Sequence, residues 1–225
     1  MAVLFDLDGT LLDTSTDFLT AANAVLSAEN KAIVDHAAVR RHISFGSRRI
    51  LAGIFNLNLD SLDDKDYLER LLPRFIEEYR KTEFSGTVAF PGINELLSEL
   101  EKANMPWGIV TNKNTVLTEP LLKNTGYFTR SGCVVCGDTT AKPKPAPDPL
   151  FHACDLLKVD PTDCIFIGDS INDILAGKAA GMRTIAAAFG FIPEDVNIAD
   201  WQADVVVQSP HEILPWIQKW AKPTS

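Results

Sequence analysis

The chain has 225 residues, 46% of them hydrophobic and 23% charged, the balance of a globular protein with a sizeable core. A formal charge of −9 excludes non-specific nucleic-acid binding, which needs clustered Lys and Arg against phosphate. No run approaches the roughly 18 apolar residues of a membrane span, and the short apolar start before Asp6 lacks the basic lead-in of a signal segment. A cytoplasmic protein is therefore expected, without a membrane partner.

In chain order, the apolar run 3–5 reads as a first strand that ends at Asp6. Residues 18–28, 36–43, 47–55 and 65–81 then read as helix after helix, and Pro73 is expected to kink or break the last of them. From about Phe90 onward strands and helices alternate. The strands fall at 107–110, 133–136, 164–167, 184–187 and 204–207, and the helices at 115–124, 150–157 and 171–180. Gly181 stops the last of these helices, and an amphipathic helix follows at 210–220. This pattern predicts an α/β fold: a doubly wound parallel-sheet, Rossmann-like core with an inserted α-helical cap. The expected division is a core of residues 1–14 and 88–225 and a cap of residues 15–87.

Three apolar runs end in polar residues. Val3-Leu4-Phe5 leads into Asp6-Leu7-Asp8-Gly9-Thr10, Ile109-Val110 into Thr111-Asn112-Lys113, and Ile165-Phe166-Ile167-Gly168 into Asp169 and Asp173. Ligands of open parallel sheets bind outside the carboxyl ends of strands, so the three clusters are expected to meet there. Gathered carboxylates repel unless a cation joins them, and with no His or Cys among them the expected ion is Mg²⁺. Lys144, fixed between prolines in Lys144-Pro145-Ala146-Pro147, supplies positive charge and is preferred over Lys142. Cys133 and Cys136 form a C-x-x-C without a second pair or a spaced His pair, so they read as strand core rather than as a metal or redox site.

Asp6-Leu7-Asp8-Gly9-Thr10-Leu11-Leu12-Asp13, Thr111, Lys144 and Gly168-Asp169 with Asp173 resemble, in order and spacing, the four signatures of the haloacid dehalogenase superfamily. The resemblance implies a Mg²⁺-dependent phosphomonoesterase. In it Asp6 forms an aspartyl-phosphate and Asp8 acts as general acid and then general base. It further implies that Asp6, the Asp8 backbone carbonyl and Asp169 hold the metal, with Asp173 behind them. Phosphate would fall to Thr111, Lys144, Asn112 and the backbone of Gly9 and Thr10.

The cap-loop run Ser44-Phe45-Gly46-Ser47-Arg48-Arg49 resembles the loop that reaches substrate in phosphoglycolate-phosphatase-like members, although surface arginines are most often just solvated. Asp8 argues against a dehalogenase, and neither Lys31 nor Lys65 sits in a phosphonatase-like motif. The expected partner is a small phosphorylated metabolite. Phosphoglycolate is placed first on the segments around Thr111 and Lys144. N-acetylmuramic acid 6-phosphate is the alternative, on the cap-loop run, residues 190–195 and residues 201–207. A sugar phosphomutase and a non-catalytic phosphometabolite-binding regulator are the readings kept beside these. The sequence carries no sign of oligomeric state.

Overall fold

The computed structural model describes residues 1–221. In chain order the first elements are β1 (Ala2–Phe5), β2 (Leu12–Asp13), α1 (Ser15–Ala28), α2 (His36–Arg40), α3 (Ser47–Phe55), α4 (Leu62–Lys81) and β3 (Val88–Ala89). There follow α5 (Ile93–Lys102), β4 (Trp107–Val110), α6 (Thr115–Thr125), α7 (Tyr127–Arg130), β5 (Val134–Val135) and α8 (Asp148–Leu157). The last are β6 (Cys164–Gly168), α9 (Ile171–Ala179), β7 (Arg183–Ala187), β8 (Val205–Val207) and α10 (Ile213–Ala221). The chain divides into two compact units, one of Met1–Leu12 with the chain from Ala89 onward, the other of Asp13–Val88.

The first unit holds a six-stranded parallel sheet in the order β5-β4-β1-β6-β7-β8. Its central strands are apolar along their whole length because helices cover both faces, and every residue of β1, β4 and β6 is buried. Phe5 pairs with Ile109 of β4 and with Ile167 of β6, so the three strands end nearly level. The chain runs outward from β1 to β4 and β5, then returns to β6 on the other side. This reversal opens a crevice at the carboxyl ends of the central strands. Cys133, Cys154 and Cys164 pack in the core beside Leu4, Phe166 and Leu150, and all four cysteines are free thiols. Burial pushes the Cys133 thiol up to about 11, as suits a core residue rather than a reactive one.

The second unit is built of α1–α4. On α4, Leu68, Leu71, Phe75 and Tyr79 recur at helical spacing and are buried. Phe18 of α1 stacks on Tyr79 at 4.2 Å between ring centroids. Of the kink or break expected at Pro73, the break does not occur, and α4 continues through it: the ring costs one backbone bond, while the buried face spans both sides of it. The stretch expected as one helix over 36–43 is shorter, with α2 followed by a 3₁₀ turn at Ile43–Phe45. Asp17, 2% exposed, accepts hydrogen bonds from the Gly86 N–H (3.0 Å) and the Thr87 hydroxyl (2.6 Å), tying the start of the unit to its end.

Candidate active site

Asp6, Thr111 and Asp169 are each the first residue beyond a central strand, on β1, β4 and β6. The Asp6 N–H donates to the Ile167 carbonyl at 2.8 Å, so the sheet ladder fixes the backbone beneath the carboxylate. Ligating oxygens of Asp6, Asp169 and Asp173 lie within 4.8 Å of one another. Asp173 is brought in by α9, where it forms a capping box with Ser170: its Oδ2 accepts from the Ser170 N–H at 3.0 Å and the hydroxyl at 2.6 Å. Gly168 makes that approach possible, since a Cβ there would stand 2.3 Å from the Cβ of Asp173.

Two glycines shape the seat of Asp169. Gly9 has φ +89°, and a Cβ on it would lie 2.0 Å from Asp169 Oδ2. A Cβ on Gly190 would lie 2.3 Å from the Asp169 Cβ. The carboxylate is further held by the Phe191 N–H at 2.8 Å, a backbone donor with no sequence signature, and by the Thr10 hydroxyl at 3.4 Å.

Lys144 is the lysine of the site, 4% exposed, whereas Lys142 is on the surface. Its ammonium donates to Asp6 Oδ1 (2.7 Å), Asp173 Oδ1 (2.6 Å) and the Val110 carbonyl (2.8 Å), which occupies all three of its protons. Burial works against this ammonium, yet Asp173 and Asp6 outweigh it and hold the proton more tightly than in an ordinary lysine. Asp6 is pushed up to about 7, first by burial, with Lys144 opposing and Asp173 and Asp8 adding to the rise.

Several residues expected on phosphate have other partners here. The Gly9 N–H donates to the Leu12 carbonyl (2.9 Å) and the Thr10 N–H to the Leu7 carbonyl (3.3 Å), closing the turn after β1. The Asn112 amide clasps the backbone of Lys144, donating to its carbonyl at 2.9 Å and accepting from its N–H at 3.0 Å. Thr111 is 3% exposed, and its Oγ1 accepts from the Lys113 N–H at 3.1 Å.

Sequence reasoning missed Lys113. Its ammonium lies 2.9 and 3.0 Å from the two carboxylate oxygens of Asp8, and the residue is 9% exposed. The signal was present, since Lys113 stands in the same polar cluster as Thr111. Four buried carboxylates (Asp6, Asp8, Asp169 and Asp173) thus face two buried ammonium groups, leaving two negative charges when all are ionised. An all-oxygen site with that deficit fits a hard divalent cation.

Of the cap-loop residues, Ser44 lies in the 3₁₀ turn, Gly46 precedes α3 with φ +84°, and Ser47, Arg48 and Arg49 open that helix. Arg48 makes a two-pronged pair with Glu69 at 2.8 and 2.9 Å, while Arg49 stands exposed. These five belong to the helical unit, and the residues gathered at the strand ends belong to the other.

The fold and the strand-end carboxylates define a hydrolase class, and the model of one family, the haloacid dehalogenase-like hydrolases, matches residues 3–187. The chain belongs to that family. It is 41% identical to the N-acetylmuramic acid 6-phosphate phosphatase of Pseudomonas aeruginosa, over 95% of this chain and 92% of that protein. It is 42% identical to a phosphoglycolate phosphatase of Xylella fastidiosa, over 93% of this chain and 89% of that one. The crystal structure of a predicted phosphoglycolate phosphatase from Haemophilus somnus superposes with a TM-score of 0.82 at 25% identity, covering 96% of each chain.

Proposed function

We propose that the chain is a divalent-cation-dependent phosphomonoesterase that works through an aspartyl-phosphate on Asp6. The observation that carries the reading is the convergence of Asp6, Asp169 and Asp173 around Lys144, with Asp8 beside them at the end of the same strand. A nucleophilic carboxylate needs a fixed direction, and the Lys144 ammonium on one Asp6 oxygen leaves the other to face phosphorus. As the bond from Asp6 to phosphorus forms, Asp8 gives a proton to the departing alkoxide. It then takes a proton from the water that hydrolyses the acyl phosphate. We give Thr111, first beyond β4, the role of donor to a phosphoryl oxygen, and Lys144 sets the direction and charge of Asp6 rather than serving as a free phosphate clamp.

The carboxylates of Asp6 and Asp169, with the Asp8 backbone carbonyl, are the ligands for Mg²⁺, and Asp173 braces the group through Lys144 and Ser170. When bound, the ion supplies neutralisation of the phosphoryl oxygens, where phosphoryl transfer needs it most. We assign residues 15–87 the part of a cap and the exposed Arg49, with Ser44, Gly46 and Ser47, contact with the remainder of the substrate.

The substrate is a small phosphorylated metabolite. Phosphoglycolate and N-acetylmuramic acid 6-phosphate stand together, because relatives bearing each name match at 42% and 41% identity. The test is phosphate release from both compounds and from common sugar phosphates, compared by kcat/KM with Mg²⁺ and again after chelation. Mg²⁺-dependent release with a preference of more than tenfold for one compound settles the substrate. Retention of the phosphoryl group on a sugar product would point to a mutase instead, and release unaffected by chelation would overturn the metal assignment.

A further inference from the structure

Each carboxylate of the Asp6-x-Asp8 pair has its own buried lysine, delivered by a different loop. Lys144 meets Asp6 at 2.7 Å and Lys113 meets Asp8 at 2.9 Å, with the two lysine side chains only 2% and 5% exposed. The backbone of Lys113 is anchored at three points: its N–H donates to Thr111 Oγ1 (3.1 Å), and its carbonyl accepts from the Gly137 N–H (3.0 Å) and the Thr118 hydroxyl (3.2 Å). A lysine held this way is a fixed point rather than a mobile surface cation. Desolvating an ammonium costs several kcal/mol, so its burial is sustained by its partners, the Asp8 carboxylate among them.

We infer that Lys113 is a positioning residue for proton transfer by Asp8: its ammonium, 2.9 and 3.0 Å from the two carboxylate oxygens, fixes where that carboxylate stands. The inference rests on the phosphatase reading above. The proton moves from the Asp8 carboxyl group to the bridging oxygen as the phosphorus–oxygen bond breaks, and Lys113 keeps its own protons throughout. An Asp8 released from Lys113 retains its chemistry but samples other rotamers, and a misplacement of about 1 Å at a reacting group can cost about 10²-fold in rate. The loss should grow with the leaving group's need for a proton. An alkoxide needs one; p-nitrophenolate departs without it.

The test compares Lys113→Met and Lys113→Arg with the parent on 2-phosphoglycolate, N-acetylmuramic acid 6-phosphate and p-nitrophenyl phosphate, using whichever alkyl ester is turned over. Lys113→Met should lose about 10²-fold in kcat on the alkyl ester and less than about tenfold on the nitrophenyl ester, with KM little changed. Lys113→Arg should recover part of the loss. In an Asp8→Asn background, Lys113→Met should cost nothing further, and thermal unfolding of the same four proteins without substrate should show the two changes to be non-additive. Equal losses on both classes of ester, a change confined to KM, or additive effects of the two substitutions would overturn the inference. A parent protein that releases no phosphate from any ester would instead overturn the phosphatase reading, and this inference with it. An active parent whose activity vanishes in Asp6→Asn upholds that reading whatever Lys113 does.

Discussion

Around the carboxyl ends of β1, β4 and β6 six charged side chains are buried and five of them are paired with one another, whereas Gly46, Arg48 and Arg49 of the helical unit are exposed. The Lys144 side chain is 2% exposed and meets three acceptors; that of Arg48 is 61% exposed and meets one glutamate. Burial makes the first set interdependent, because removing one charge strands another in a poor dielectric. The second set is electrostatically cheap to change, since exposed pairs contribute little and salt screens them. Chemistry and selectivity are thus assigned to regions with opposite tolerance of substitution.

The largest effect that would sharpen this contrast is Asp6→Asn, expected to lower phosphate release by more than about 10⁴-fold, since the covalent step itself is lost. Retention of a tenth of the parent rate would break the assignment. Lys144→Met should destabilise the fold by about 3–5 kcal/mol, because Asp6 and Asp173 are left buried without their cation. Denaturant unfolding would measure this, and a shift under 1 kcal/mol would show that the cluster is less interdependent than its geometry implies.

A pH dependence follows for the cation-free protein. Because Asp6 is raised to about 7, the fold binds its proton more tightly than the unfolded chain does. The contribution is fully present below the unfolded pKa near 4, and is lost as pH rises through about 7. Thermal stability in chelator should therefore decline over that window, and Asp6→Asn should flatten the slope. In the helical unit, Arg49→Ala should leave the unfolding temperature unchanged and lower kcat/KM by about tenfold with the preferred substrate, the size of one exposed polar contact. Equal kcat/KM would remove Arg49 from the substrate's path. The smallest effect concerns the thiols: with all four buried, the folded protein should resist alkylation at pH 8, and all four cysteines should react on unfolding.

How much of this was legible in the sequence differs between the same two regions. Strands such as 107–110 are apolar throughout because they are buried on both faces, and the switch to polar residues at Asp6, Thr111 and Asp169 marks their ends without ambiguity. The identities at the site were therefore readable, but the hydrogen-bond partners were not. Nothing local in Asn112 says that its amide serves the backbone of Lys144, 32 residues away, and the Phe191 N–H on Asp169 belongs to no side chain at all. Lys113 went unassigned for a related reason, as its partner lies 105 residues away. In the helical unit, propensity placed α3 to the residue and carried the last helix across Pro73, where no break falls: one lost hydrogen bond yields to a buried face that runs the length of α4.

The tie between Asp17 and residues 86–87 has a consequence beyond stability. A single carboxylate near the entry of the 76-residue helical unit holds both the backbone N–H of Gly86 and the hydroxyl of Thr87 near its exit, so the insertion is cinched at its own neck. Loop-closure entropy grows only slowly with the length of chain between two tied ends. The neck makes this stretch of sequence a detachable module. Changes in length between positions 18 and 85 are therefore expected to leave the registers of β1, β4 and β6, and with them the strand-end carboxylates, where they are.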